Sequence, residues 1–134
     1  MAFTTNVYPS LPVSDFERSV AFYDAVLGEL GFPRCNNMEA KGIREAEYCF
    51  DELSKVLSIV KAPDYSEETS KRFTMISTFP AKSRSAVDAF YATAMKKGAR
   101  DNGKPSFREE ESYAASVLDP DGHHIEVVCH NPDN

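Results

Sequence analysis

Between Phe16 and Leu30 the apolar side chains Phe16, Val20, Tyr23, Leu27 and Leu30 recur at spacings of three and four. That period puts them on one stripe of a helix. Ser14 followed by Glu17 offers a capping box at its start, and Gly31 marks its end. A second stripe, Val87, Phe90, Tyr91, Ala94 and Met95, is opened by Ser83 or Ser85 and closed by Gly98. The rest of the chain is strand-like. Val7 to Val13 is a short β-prone stretch, and residues 34–40 and 43–50 read as two strands joined at Lys41-Gly42. Alternation in the second of these predicts Arg44, Ala46, Tyr48 and Phe50 on one face. Lys55 to Val60 is a further strand. Tyr113 to Leu118 and His124 to Cys129 flank Asp119-Pro120-Asp121-Gly122, whose proline and glycine suit a hairpin turn. Ala62 to Lys71 is polar and predicts a linker in which the acidic run is solvated loop.

The chain repeats itself at an offset of 68 residues. Ser10-Leu11-Pro12 aligns with Thr78-Phe79-Pro80, and Ala21-Phe22-Tyr23 with Ala89-Phe90-Tyr91. Phe50-Asp51 meets Leu118-Asp119, and Lys55 to Val60 meets His123 to Val128. Four matches in one register point to a duplicated unit. The order strand, helix, three strands, taken twice, predicts an α+β fold of two tandem βαβββ modules, about 5–62 and about 72–130, within one domain covering 1–134. Each helix covers one face of its mixed sheet. The other faces are free to curl toward each other around a cavity.

Composition narrows the function. A chain of 134 residues with 42% hydrophobic and 27% charged residues is a soluble globular protein with room for one core. The apolar runs are too short to span a bilayer, and no secretory signal pattern is visible. A net charge of −6 and the lack of a basic stripe argue against nucleic acid as a partner. Cys35, Cys49 and Cys129 are odd in number and widely spaced, so three ordinary thiols in a reducing, cytoplasmic setting are expected rather than a disulfide framework. No phosphate loop, glycine-rich nucleotide fingerprint or Ser-His-Asp arrangement is present.

Two segments carry a resemblance. Val13-Ser14-Asp15-Phe16-Glu17-Arg18-Ser19-Val20-Ala21-Phe22-Tyr23 and Val117-Leu118-Asp119-Pro120-Asp121-Gly122-His123-His124-Ile125-Glu126 resemble the opening strand-to-helix segment and the closing hairpin of the vicinal oxygen chelate superfamily. That superfamily includes glyoxalase I, bleomycin-resistance proteins and extradiol dioxygenases. The similarity extends to Ser83 to Phe90 and Gly98 to Gly103, and so covers nearly the whole chain. It implies the fold; for function it leaves isomerases, lyases, dioxygenases and non-catalytic binders open. It also implies a homodimer, since two-fold pairing is common in the family and in general.

The resemblance implies metal ligands on the first and last strands of each module. Carried over, these positions hold Tyr8, Ser58, Ile76 and Glu126, of which only Glu126 is a competent ligand. No metal or other cofactor is therefore expected. Were one bound, His124 would join Glu126, because it shares its strand parity and lies about 7 Å along the strand. His123 is expected at the turn, facing solvent. Glu126, among Ile125, Val127 and Val128, should face the cavity, because a buried carboxylate without a partner is costly. There it is expected to act as general acid or base, with Tyr8 across the cavity, or else to be a structural carboxylate paired with a neighbouring cation or tyrosine hydroxyl. Arg44 and Tyr48 are expected to line the first module's concave face, with Ser58, Ile76, Tyr113 and His124 completing the ligand contacts. The reading that follows is a metal-independent lyase- or isomerase-type enzyme acting on a small oxygenated organic substrate. The alternative is a non-catalytic, ligand-sequestering protein of the bleomycin-resistance kind. A metal-dependent glyoxalase or dioxygenase ranks third.

Overall fold

The computed structural model describes residues 8–51 and 54–130. The first module runs β1 (Ser10–Pro12), α1 (Phe16–Gly28), β2 (Arg34–Ala40), β3 (Ile43–Asp51) and β4 (Ser54–Lys61). A short helix, α2 (Glu67–Arg72), leads to the second module: β5 (Ile76–Pro80), α3 (Arg84–Lys96), β6 (Arg100–Arg108), β7 (Ser112–Leu118) and β8 (His124–His130). The sheets have the orders β1-β4-β3-β2 and β5-β8-β7-β6. In each, the outermost strand beside the central one is parallel to it, and the remaining pairs are antiparallel. The 68-residue repeat holds in three dimensions. Helices α1 and α3 start and end 68 apart, and the pairs Ser10 with Ser58 and Thr78 with Glu126 occupy one register.

The helical stripes form the core in part. Phe16, Tyr23, Leu27 and Leu30, and Val87, Phe90 and Ala94, are buried as the periodicity predicts, whereas Val20 and Tyr91 are half-buried, Met95 is exposed, and Phe22 and Val26 join the core beside the stripe. From α1, Phe22, Tyr23, Val26 and Leu27 are buried against Ala46, Tyr48, Leu57 and Ile59 of the first sheet. From α3, Val87, Phe90 and Ala94 are buried in the same continuous core as Ala115, Val117, Ile125 and Val127 of the second. Each large apolar side chain so buried stabilises the fold by about 1.5–3 kcal/mol. Lys41 and Gly42 both take positive φ, 55° and 80°, as a two-residue hairpin turn requires.

Several local expectations are corrected. The cap of α1 is Asp15, whose extended backbone aims its Oδ1 at the first turn to accept from the Arg18 amide at 3.1 Å, while the Ser14 hydroxyl is given to Asp121. Helix α1 ends at Gly28, three residues before Gly31, where the Leu30 and Phe32 amides turn back onto the Leu27 carbonyl. The linker is not all loop: the Ser66 hydroxyl accepts from the Thr69 amide and Lys71 lies 3.9 Å from Glu67, which together support α2. Cys35 and Cys49 are joined as a disulfide, with Cα atoms 5.9 Å apart, because an irregularity in the β2–β3 ladder between Arg34 and Asn36 lets Cys35 face Cys49 across the hairpin. Cys129 is a buried thiol. Cysteine count therefore no longer speaks for a reducing compartment. No helix among the described residues is long and apolar enough to cross a membrane.

The Asp119–Gly122 turn does more than reverse the chain. The Asp121 carboxylate accepts from the Ser14 hydroxyl at 2.6 Å, from the Ser14 amide at 3.3 Å and from Arg18 at 3.2 Å, tying module two to the start of α1. Behind it the Tyr23 hydroxyl donates to Asp119, which also accepts from the Asp121 and His123 amides. Burial above all raises the Asp119 carboxyl, and the neighbouring His123 and the Tyr23 bond oppose that rise. His123 does not face solvent. Its ring is fully buried, with Nδ1 accepting from the Met75 amide at 3.0 Å, so Nε2 carries the proton and donates to the Pro12 carbonyl at 2.8 Å.

Candidate functional site

Strand alternation gives each sheet a helix-facing side and an open side, and this parity decides which side chains can meet a ligand. On β8, Ile125, Val127 and Cys129 are buried toward the core, while His124, Glu126 and Val128 are half-buried on the open side. Glu126 sits on a central strand between Thr78 of β5 and Ser116 of β7. The Thr78 hydroxyl reaches its Oε1 at 3.5 Å, and among the described residues no cation pairs with it. His124 lies on the same face, its Nδ1 3.3 Å from the Asn102 amide nitrogen. Ile76 is also on this side, 75% exposed.

The first module's open side is organised around a carboxylate outside the positions expected from sequence. Glu47 on β3 is only 2% exposed. Its Oε1 accepts from Asn36 at 3.0 Å, and its Oε2 accepts from the Tyr8 hydroxyl at 3.1 Å and from Lys55 Nζ at 3.0 Å. Burial pushes the Glu47 carboxyl up, but the bonds from Asn36, Lys55 and Tyr8 outweigh it and hold the group below the ordinary carboxylate value. In return, the bond to Glu47 raises the Lys55 ammonium and keeps it charged. Partial burial, then Glu47, raises the Tyr8 phenol. Beside this cluster Ser58 donates to Glu45 at 2.5 Å.

The two modules present the same rung with its chemistry exchanged between strands. In the first, Ser58 of β4 pairs with Glu47 of β3; in the second, Glu126 of β8 pairs with Ser116 of β7. The parallel neighbour is a hydroxyl in both, Ser10 and Thr78. Comparing Ser58 with Glu126 by sequence shows a missing carboxylate in module one. The structure shows it one strand over. A signal existed: Glu45 and Glu47 alternate with the apolar positions of their strand, so one parity had to carry them.

That parity corrects three expected contacts. Arg44 and Tyr48 are on the helix-facing side. Arg44 stacks over the Phe16 ring at 4.3 Å and pairs with Glu17 at 2.7 Å. Tyr48 is buried under α1 and donates to Asp24 at 2.8 Å. The strand alternates as expected, but Ala46 and Tyr48 are on the core side because α1 covers them. Tyr113 likewise turns to α3, donating to Asp88 at 2.7 Å. Tyr8 lies just before β1 and is committed to Glu47 rather than Glu126.

A cleft of about 380 Å³ separates the modules, lined by Tyr8, Pro9, Lys55 and Val56 on one side and by β5, including Ile76 and Thr78, on the other. Clefts of this size suit small organic molecules. The four positions at which the fold would hold a metal do not fit one. Ile76 has no donor atom, the Ser58 hydroxyl is engaged with Glu45, and Tyr8 is engaged with Glu47. Among the described residues no group of three or more His, Cys, Asp or Glu is arranged to hold an ion.

Residues 5–127 match the family model of the Glyoxalase/Bleomycin resistance protein/Dioxygenase superfamily. No curated protein matches the chain. Among solved structures, a glyoxalase/bleomycin resistance protein from Albidiferax ferrireducens T118 is 26% identical with a TM-score of 0.70, covering 92% of this chain and 96% of that one. A glyoxylase/bleomycin resistance protein/dioxygenase domain from Frankia sp. EAN1pec has a TM-score of 0.71 at 15% identity, covering 98% and 99%. The E144Q mutant of glyoxalase I from Zea mays has a TM-score of 0.71 at 19% identity, with 91% of this chain matching 46% of that larger one. The last two likenesses are of fold alone.

Proposed function

Because the chain belongs to the Glyoxalase/Bleomycin resistance protein/Dioxygenase superfamily, we propose that it binds a small oxygenated organic molecule between its modules and moves a proton on it with Glu126, without a metal. The observation that carries this reading is the contrast between two carboxylates. Glu47 is sealed by three donors, whereas Glu126 stands on the open face with, among the described residues, one long contact to Thr78 and no paired cation. A carboxylate left free in a cleft can accept a ligand proton; one that already accepts three bonds cannot do so cheaply. Isomerisation needs that transfer and return of the proton at another carbon; elimination, a lyase chemistry, needs it together with departure of a β-substituent that carries away its bonding pair. Pairing of two chains into a homodimer, on family analogy, would enclose the open faces further.

The test is solvent-deuterium exchange. Chelator-treated protein in D2O is incubated with hydroxyketones, 3-oxo esters and 2-oxo acids, and C–H loss is followed by proton NMR. Exchange above the buffer rate is expected, falling about 100-fold or more in Glu126→Gln. Unchanged exchange in the variant removes Glu126 as the base, and exchange that appears only on adding a divalent ion overturns metal independence. A second reading is favoured by the acidity of the open faces, which carry Glu45, Glu47 and Glu126, with Lys55 paired to Glu47. It is sequestration of a cationic compound, seen as saturable binding with no exchange.

A further inference from the structure

We propose that Lys55, held by Glu47, forms an oxygen subsite on the module-one wall of the cleft, and that the ligand it takes is an uncharged carbonyl compound. This rests on the reading of Glu126 as the base and names the class of molecule that base acts on.

Three observations converge. Lys55 lines the inter-module cleft together with Tyr8, opposite the β5 strand whose Thr78 contacts Glu126. Its Nζ is fixed 3.0 Å from a carboxylate that is itself pinned by Asn36 and Tyr8, so the ammonium has one defined position instead of a lysine's usual range. An ammonium has three N–H groups, and Glu47 takes one. Among the described residues no other acceptor is seen for the remaining two, on a side chain 37% exposed at the cleft wall.

The charge pattern then selects the ligand. The Lys55 charge is matched by Glu47, and Glu45 and Glu126 add further negative charge on the open faces. A carboxylate or phosphate ligand would meet like charge. A neutral carbonyl oxygen would not, and it needs only the two remaining N–H groups. Ile76, 75% exposed at the opposite wall, suits the apolar part of such a molecule.

The step balances without a co-reactant. Glu126 takes a proton from the carbon next to the carbonyl, and the C–H electron pair becomes the new C=C bond. The carbonyl π pair moves onto oxygen, where the Lys55 donors meet the developing charge. Return of a proton to the same carbon completes exchange; in a hydroxyketone, its return to the former carbonyl carbon, with the hydroxyl proton passing to the enolate oxygen and the new carbonyl forming at the other carbon, completes isomerisation, and the molecule as a whole is neither oxidised nor reduced.

The probe is acetohydroxamic acid, a small neutral molecule with a carbonyl acceptor, titrated against chelator-treated protein by ligand-observed NMR, with acetate as the anionic contrast. Saturable binding of the hydroxamic acid is expected in wild type and in Glu126→Gln, at least tenfold weaker in Lys55→Met. Because Lys55→Met leaves Glu47 unpaired and could unfold the protein, the double variant Glu47→Gln/Lys55→Met, which removes both charges together, is measured alongside and should lose affinity equally. Equal affinity in wild type and the double variant overturns the subsite, as does no binding or a preference for acetate. Because Glu126→Gln is expected to bind normally, a failed Lys55 result leaves the base intact. Failed deuterium exchange with normal Lys55-dependent binding removes the base and keeps the subsite.

Discussion

Asp121→Ala should cost this protein about 3 kcal/mol of stability, far more than its place in a turn suggests. The side chain is fully buried and receives three donors from the other module: the Ser14 amide, the Ser14 hydroxyl and Arg18. Hydrogen bonds to a charged acceptor contribute about 1.5–3 kcal/mol each. The Arg18 contact must be discounted, since its side chain is 41% exposed and an exposed ion pair contributes about 0–1 kcal/mol. The Ser14 amide bonds are long at 3.3 Å to either oxygen, leaving the 2.6 Å hydroxyl bond as the strongest. The sum is about 2–4 kcal/mol, against a total stability of about 5–15 kcal/mol for a domain, so the variant still folds. In urea the midpoint should fall by about 1.5–2 M, and the thermal midpoint by about 12 °C. A double-mutant cycle with Ser14→Ala isolates the link, with an expected coupling of about 1–2 kcal/mol. Arg18→Ala alone should change stability by less than about 1 kcal/mol. A loss under about 0.5 kcal/mol for Asp121→Ala, or strict additivity with Ser14→Ala, refutes the idea that this turn latches the modules.

Two further outcomes follow from the open face. Because the folded Glu47 carboxyl lies below its ordinary value of 4.5, its contribution is present above that pH and is lost as pH falls through the lower folded value; the stability difference between wild type and Glu47→Gln, from urea midpoints between about pH 6 and about pH 3, should therefore shrink on acidification, and a constant difference contradicts the bonding described. Alkylation of denatured, unreduced protein should label Cys129 alone and label all three cysteines after reduction, with Cys35→Ser costing about 3 kcal/mol for a cross-link spanning 14 residues; three thiols reacting without reductant would remove the disulfide.

Much of the fold was legible because it depends on periodicity. The two helical stripes, the hairpin at Lys41-Gly42 and the 68-residue repeat are one-dimensional signals of three-dimensional order, and each appears in the structure at the expected place. What the sequence did not disclose were relations between elements. Asp119-Pro120-Asp121-Gly122 reads correctly as a turn, but nothing local says that its carboxylates receive Tyr23 and Ser14 from the other module. The face of β3 was ambiguous for a related reason. Arg44, Ala46 and Tyr48 alternate with Glu45, Glu47 and Cys49, and either set can be the covered one until α1 is placed. Polar side chains with long apolar stems, such as Arg44 over Phe16, blur the pattern further.

The candidate site was half legible for a more specific reason. Aligning the halves by sequence compares strand with strand, and so compares Ser58 with Glu126. A ligand meets a sheet face, where the unit is the cross-strand rung. By rung, each module has one carboxylate beside a serine, with a hydroxyl on the parallel neighbour. What differs is the company each carboxylate keeps. Glu47 has an amide, a phenol and an ammonium, all aimed at it, and so serves as a scaffold that fixes Lys55 and Tyr8 at the cleft. Glu126 has Thr78 and the open face. A repeat whose two halves kept identical surroundings would offer two inert scaffolds or two free bases. This one offers a pinned carboxylate that sets Lys55 and Tyr8 on one wall of the cleft, and a second carboxylate beside Thr78 of the other wall; on the function proposed above, that asymmetry would supply a fixed donor for the oxygen and an acceptor for the hydrogen.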